Sequence, residues 1–420
     1  MKLTKESQKL ISFFLKKKCI VHVEQTKKTD KILEMLYADI LEASQYVQSI
    51  NKKSGFYKLV STRIQSVSQI PIPKKFTVND FPEEIRKNIS ETSNTHLCYS
   101  FSLFGRIINI HFLIEDIDVD LHLQKYNKYV DHMLIWLHIV NQYASTKCSK
   151  EISIYIYLTD LFKRLPDSNV EILGRNNVNT AFTYTCQKIS EIIIFRKEEW
   201  FKVFMHESFH NFALDFSDMN VTESHSRILQ LFPVKSHVNL YEAYAEFWAE
   251  IMNACFCSFL EMEDKTNIEE FLSHVHVLIH FERTFSFFQM VKALDFMGLQ
   301  YKHLYSSSSE SEVFRETLYK EDTSVLSYYV IKTILLNNYQ GFLAWCESNN
   351  TSLLQFKKSL QNQENFCSFI EKNYKTKSFL DGVKCTEKVL VQLKNKSKLE
   401  NDYNLDFLVK NMRMGICELG

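Results

Sequence analysis

Large apolar residues crowd both sides of one short polar cluster, and that arrangement constrains the fold more than any other feature of the chain. Trp200, Phe201, Val203, Phe204 and Met205 precede His206-Glu207-Ser208-Phe209-His210, and Phe212, Ala213, Leu214 and Phe216 follow it. The stretch from Lys197 to Phe216 therefore predicts a helix that is hydrophobic nearly all round, which is a buried helix. Residues four apart on a helix share a face, so His206 and His210 present two imidazoles side by side. Two histidines and a glutamate inside a buried helix are costly unless something satisfies them. A metal ion does so. The spacing suits two ligands of a zinc ion, with Glu207 beside them to take a proton from a metal-bound water. The plainer alternative, two unrelated histidines on a surface helix, leaves the apolar flanks without a reason.

The neighbouring segments extend this reading. Directly upstream, the β-branched run Glu191-Ile192-Ile193-Ile194-Phe195 reads as a strand. Downstream, Asn239 to Asn253 reads as a second apolar helix on which Glu242, Glu246 and Glu250 recur every four residues and share a face. A catalytic zinc takes three protein ligands and keeps one position open for water, so one of these glutamates is the expected third ligand. The bland reading of the same three residues is an acidic stripe on a half-buried helix. Ahead of the motif, Asn176 to Thr185 runs from turn-formers into a β-rich stretch.

An HExxH helix followed about thirty residues later by a helix bearing Glu-x-x-x-Glu resembles the gluzincin metallopeptidases. In that family the first acid of the later helix binds zinc, and the second, one turn on, hydrogen-bonds a ligand histidine. The chain carries two registers of this pattern. Tyr241-Glu242-Ala243 is similar to the Asn-Glu-Ala of thermolysin-like enzymes, which makes Glu242 the ligand and Glu246 its supporting neighbour. Glu246-Phe247-Trp248-Ala249-Glu250 is similar to the Glu-Phe-Phe-Ala-Glu of anthrax lethal factor, which moves both roles on by one turn. The first register is favoured, and Glu246 is functional in either.

The resemblance also implies a substrate-binding edge strand. Asn179-Thr180-Ala181-Phe182 is loosely similar to the Asn-Ala-Phe rim of thermolysin-like enzymes, which places Thr180, Ala181 and Phe182 where an extended peptide adds to the sheet. Other zinc families fit less well. Metzincins need a third histidine six residues after the second, and that position is Phe216. An aspartate ligand would have to be Asp215 or Asp218, yet Asp215 lies only five residues beyond His210 and is expected to orient or cap. Over about residues 175–257 the pattern also resembles uncharacterised zincin-like proteins of large DNA viruses. That likeness implies a host-cell cytoplasm or virion location and no particular substrate.

The whole chain bounds the rest. Lys+Arg and Asp+Glu are both 50 in 420 residues, so no global electrostatic case exists for nucleic acid or an acidic membrane surface. Glycine (8) and proline (5) are scarce while Phe (33) and Tyr (20) abound, which predicts a helix-rich protein with aromatic cores. The ten cysteines show no paired framework, the N-terminus shows no secretory signal, and the longest apolar stretch, Met133 to Val140, is far too short to span a membrane. The expectation is a soluble, reduced, intracellular protein.

The expected architecture is α+β and helix-rich. Residues 1–150 read as mainly helical, with periodic segments near 4–20, 29–50 and 122–144 around a mixed stretch that holds Ile70-Pro71-Ile72-Pro73 and the alternating Ile107 to Leu113. Residues 151–305 read as a zincin-like module: a strand at 151–158, a small mixed sheet with an edge strand, the HExxH helix and the glutamate helix. Residues 306–420 read as a helical region entered through a polar, linker-like Ser306 to Glu312.

The function these features predict is a zinc-dependent peptidase in which Glu207 is the general base. An oxyanion stabiliser is also needed, and Tyr184, Tyr241, Tyr244, His225 and His237 are candidates. His274, His276 and His280 sit in an apolar helix without an intervening acid and read as core or cleft histidines. Two other functions compete. One is an interaction protein that keeps the zincin fold without catalysis, against which the intact Glu207 weighs. The other is a zinc hydrolase acting on a non-peptide amide.

Overall fold

The computed structural model of the chain describes residues 3–17, 19–20, 22–53, 55–77, 80–115, 118–400 and 403–419. It divides into two compact units, each assembled from separated segments: Met35–Phe162 with Thr180–Asp218, and Met1–Glu34 with Lys163–Asn179 and Met219–Gly420.

The first of these units holds a six-stranded mixed sheet. Its strands are β1 (Lys58–Arg63), β2 (Thr95–Leu103), β3 (Arg106–Ile114), β4 (Glu151–Tyr157), β5 (Ala181–Thr183) and β6 (Ile189–Ile194), in the spatial order β1-β2-β3-β4-β6-β5. β3, β4 and β6 run parallel, and the strands outside them, β2 with β1 on one side and β5 on the other, pair antiparallel. A small mixed sheet ending in a short antiparallel strand at Ala181–Thr183 is thus present. β3 falls on the alternating Ile107 to Leu113 of the mixed stretch, while β1 and β2 are strands that the sequence reading did not single out. β2 alternates: Leu97, Tyr99, Phe101 and Leu103 are buried, while His96, Cys98, Ser100 and Ser102 point to the wetter face. That period of two is what a sheet with one packed face requires. Phe104 and Gly105 both have positive φ (53° and 70°), the turn that joins two antiparallel strands without splaying them.

The sheet is fully covered on one face and partly covered on the other. On one, the helix Leu123–Tyr143 lies against it, with Tyr99 Oη donating to Asn127 (2.8 Å) and Tyr126 and Tyr129 touching the Phe112 ring. On the other, Leu113, Tyr155, Tyr157, Ile193 and Phe195 pack with Ile70, Ile85 and Ile89. Helices at Lys5–Phe14, Lys27–Asn51 and Leu123–Tyr143 match the three periodic segments read near the N-terminus.

The second unit is helical. Its longest elements are the glutamate-bearing helix Leu240–Glu261, then Ile268–Phe296 and Lys377–Glu400. The linker-like serines instead start a helix, Ser309–Leu318: Ser308 accepts from the Ser311 amide, and Glu310 and Glu312 favour the positive end of the helix dipole. The chain end is not wholly helical either. Residues 411–417 are buried without regular structure, and side chains satisfy their backbone groups. Tyr329 donates to the Met412 carbonyl (2.8 Å), Asn253 donates to that of Cys417 (2.7 Å), and Glu282 accepts from the Ile416 and Cys417 amides (2.9 Å each). A buried irregular segment needs such partners for every polar group.

Two disulfides, Cys19–Cys385 and Cys148–Cys186, correct the expectation of unpaired thiols. The second pair is 38 residues apart in sequence and is brought together because Cys148 precedes β4 while Cys186 lies in the β5–β6 turn. Among the described residues no helix is long and apolar enough to cross a membrane.

Candidate metal centre

The HExxH helix spans Trp200–Asn211, and every residue in it is buried. It follows β6 directly and packs on the sheet and on the helix Leu123–Tyr143, where Trp136 meets Phe209 and Tyr129 meets Trp200. Its apolar flanks are spent on this packing, which is why the motif can lie inside the protein.

The helix ends in a hydrogen-bonded reversal. The Ala213 amide donates to the His210 carbonyl (3.0 Å) and the Leu214 amide to that of Phe209 (2.8 Å), with Ala213 left-handed at φ 54°. This pair of bonds is the Schellman pattern, usually built around glycine. The reversal turns Asp215 back onto the helix. Its Oδ2 bonds His210 Nδ1, while its Oδ1 accepts from the Ser217 amide (3.1 Å) and hydroxyl (2.8 Å). Asp215 is fully buried. Taking the proton on Nδ1 leaves a lone pair on His210 Nε2, the tautomer a metal needs. The aspartate is thus an orienting residue, as its position five after His210 suggested.

His210 Nε2 lies 3.1 Å from His206 Nε2. Two imidazole nitrogens each about 2.0–2.1 Å from a tetrahedral zinc would stand roughly 3.3–3.4 Å apart, so the pair has nearly the separation zinc ligands take. Asn211, next in the chain, locks this end of the helix to the sheet. Its Oδ1 accepts from Ser149 Oγ (2.5 Å) and Ser190 Oγ (3.3 Å), and its Nδ2 donates to Thr183 Oγ1 (2.8 Å). Glu207 is buried on the same helix and Asp218 is exposed. Thr180 is buried at the start of β5, where its carbonyl accepts from the Phe195 amide (2.9 Å), and Ala181 and Phe182 form the strand itself.

In the other unit, the glutamates of Leu240–Glu261 differ sharply in their surroundings. Glu242 is half-buried and accepts a hydrogen bond from Tyr328 Oη (2.8 Å). Glu246 is buried. Glu250, deeper still, is ion-paired with Lys332 Nζ at 2.5 Å, both side chains being fully out of solvent, and the same ammonium donates to the Met414 carbonyl (3.0 Å). Tyr328 and Lys332 lie one turn apart, Tyr328 within a π-helical turn, Leu326–Ile331, of the kind often found at functional sites. Sequence reasoning missed both. A lysine inside the apolar run Tyr328 to Leu336 was the one local signal that a buried acid needed a partner.

The oxyanion candidates also separate. Tyr244 is core: its hydroxyl donates to the Leu354 carbonyl (3.0 Å) and its ring meets Phe356. Tyr184 is half-exposed and stacked on Phe76 at 4.5 Å. Burial lowers the pKa of His225. Of the three histidines in Ile268–Phe296, His276 bonds Asp30 (2.9 Å), and burial, with the nearby Arg283 and His22 charges, lowers the pKa of His280 to about 4. Both are only half-buried, and the buried Nδ1 of each has no hydrogen-bond partner, so neither is a fully satisfied core histidine. Comparisons with protein-family models, curated proteins and solved structures find no match to this chain.

Proposed function

We propose that the protein is a zinc-dependent peptidase whose metal is held by His206, His210 and Glu242. The observation that carries the proposal is the convergence of His206 Nε2 and His210 Nε2, with Asp215 fixing the second ring from behind. Two imidazoles and a carboxylate match the usual donors of a catalytic zinc. Glu242 is favoured over Glu246 as third ligand because the alternative register needs Glu250 on a histidine, and Glu250 is committed to Lys332. Tyr328 then orients the Glu242 carboxylate, and Glu246 supports the centre one turn on.

A zinc ion bound there supplies Lewis acidity toward the scissile carbonyl and brings the pKa of water toward neutrality. Glu207, between the two histidines in sequence, would be the general base that takes a proton from the attacking water and returns it to the leaving amine. The β5 strand at the end of the sheet, Ala181–Thr183 with Thr180 before it, offers backbone groups to an extended peptide.

The test compares wild type with Glu207→Gln at matched zinc occupancy, using proteome-derived peptide libraries as substrate. Glu207→Gln keeps shape and hydrogen-bonding capacity but accepts no proton, so turnover should fall by roughly 10²–10⁴-fold with zinc content unchanged. Equal turnover in the two proteins would rule out the mechanism, and a zinc-free wild type would rule out the centre.

A further inference from the structure

We propose a second metal site on the half-buried face of the sheet, formed by His96 and Cys98 of β2 and His111 of β3, and suited to a zinc ion. The pleat and the register create it. His96 and Cys98 are two apart on one strand and so project from the same face, and Cys98 pairs directly with His111 across the antiparallel ladder. The tight turn at Phe104-Gly105 fixes that register, since a slip of one residue would send one strand's side chains to the opposite face. His96 Nε2 and His111 Nδ1 stand 2.9 Å apart, and with Cys98 Sγ the three ligand atoms all lie within 4.8 Å of one another. The His111 ring is held flat against Tyr155, centroids 4.6 Å apart and planes 10° from parallel.

All three residues are only partly buried, so an ion can reach them from solvent. One thiolate and two imidazoles suit zinc and other borderline-soft transition metals, whereas magnesium and calcium take oxygen donors. Three protein donors leave one position of a tetrahedral ion for water. Without the ion the imidazoles share a hydrogen bond, and a neutral His–His pair beside a thiol is the competing account of the same geometry.

The cysteine makes this site distinguishable from the HExxH centre, which has no sulfur. Among the described residues every other free cysteine is fully buried. Co²⁺ titrated into chelator-stripped full-length protein should give a thiolate-to-cobalt charge-transfer band in the near ultraviolet, saturating at about one equivalent of sulfur-ligated ion. The band should persist in the His206→Ala/His210→Ala variant, vanish in Cys98→Ser, and weaken in His96→Gln and in His111→Gln. Zinc per chain should likewise drop by about one between wild type and Cys98→Ser. Absence of the band from the wild type, or its survival in Cys98→Ser, overturns the proposal. Should the double-histidine variant fail to fold, wild type against Cys98→Ser, a one-atom change at a partly buried position, decides the matter alone.

Discussion

Asp215 and His210 are joined across the end of one helix: the aspartate carboxylate takes Nδ1 of the imidazole and leaves Nε2 facing His206. The contact depends on the left-handed Ala213, which reverses the chain, and on Ser217, which holds the other carboxylate oxygen. Removing the carboxylate frees the ring to rotate and weakens His210 as a donor. Asp215→Ala should therefore loosen zinc by roughly 10–100-fold, as loss of a ligand's supporting partner does. Competition against a chromophoric chelator measures it, and unchanged affinity would deny Asp215 this role.

The Glu250–Lys332 pair makes a prediction about stability. Two fully buried opposite charges cost desolvation that their mutual attraction offsets, but one left alone does not. Lys332→Met should destabilise the protein by about 3–5 kcal/mol in urea unfolding. The double variant Lys332→Met/Glu250→Leu should recover most of that loss, because it removes both charges and keeps the volume. A single variant as stable as wild type would show that Glu250 is satisfied by something other than the lysine.

These two relationships also mark what could be read from the chain. The HExxH helix, the isoleucine strand and the glutamate helix were legible because each concentrates large apolar residues, from which burial follows directly. The alternation in Thr95 to Leu103 was equally present but lay among short polar segments that gave it no context. Asp215 was half legible: its spacing excluded it as a convenient ligand, while its orienting role needed the reversal at Ala213. Tyr328 and Lys332 were not legible as partners, since they meet Glu242 and Glu250 across 86 and 82 residues. Nor was the buried segment at residues 411–417, which has no period and owes its place to side chains scattered from Asn253 to Lys332.

Ala213 carries a conformation that glycine adopts freely. A left-handed residue with a Cβ costs roughly 1–2 kcal/mol, and the extra freedom of glycine in the unfolded chain returns about 0.4–1 kcal/mol of that difference. Ala213→Gly should thus stabilise the protein modestly, by up to about 1 kcal/mol, with zinc content unaltered. Thermal unfolding of zinc-loaded protein tests it. A clear loss of stability would mean that the Ala213 methyl contributes packing worth more than the strain.

Acid should weaken the fold through histidines that are buried neutral. Burial, reinforced by the Lys128 charge, lowers the pKa of His132 to about 4, and burial with Arg283 and His22 does the same for His280. Both groups have folded pKa values below the ordinary 6.5, so the unfolded chain binds more protons between pH 6.5 and 4. Stability is then complete above about pH 6.5 and declines as the pH falls toward 4. At pH 5.5 the loss from His132, the more deeply buried of the two, is on the order of 1 kcal/mol. His280 is less buried and contributes less, because solvent screens it. Urea midpoints measured from pH 7.5 to 5 on metal-free protein should fall accordingly, and His132→Gln, which cannot take up a proton, should flatten part of the decline. A His132→Gln curve parallel to wild type would assign the acid lability to other groups.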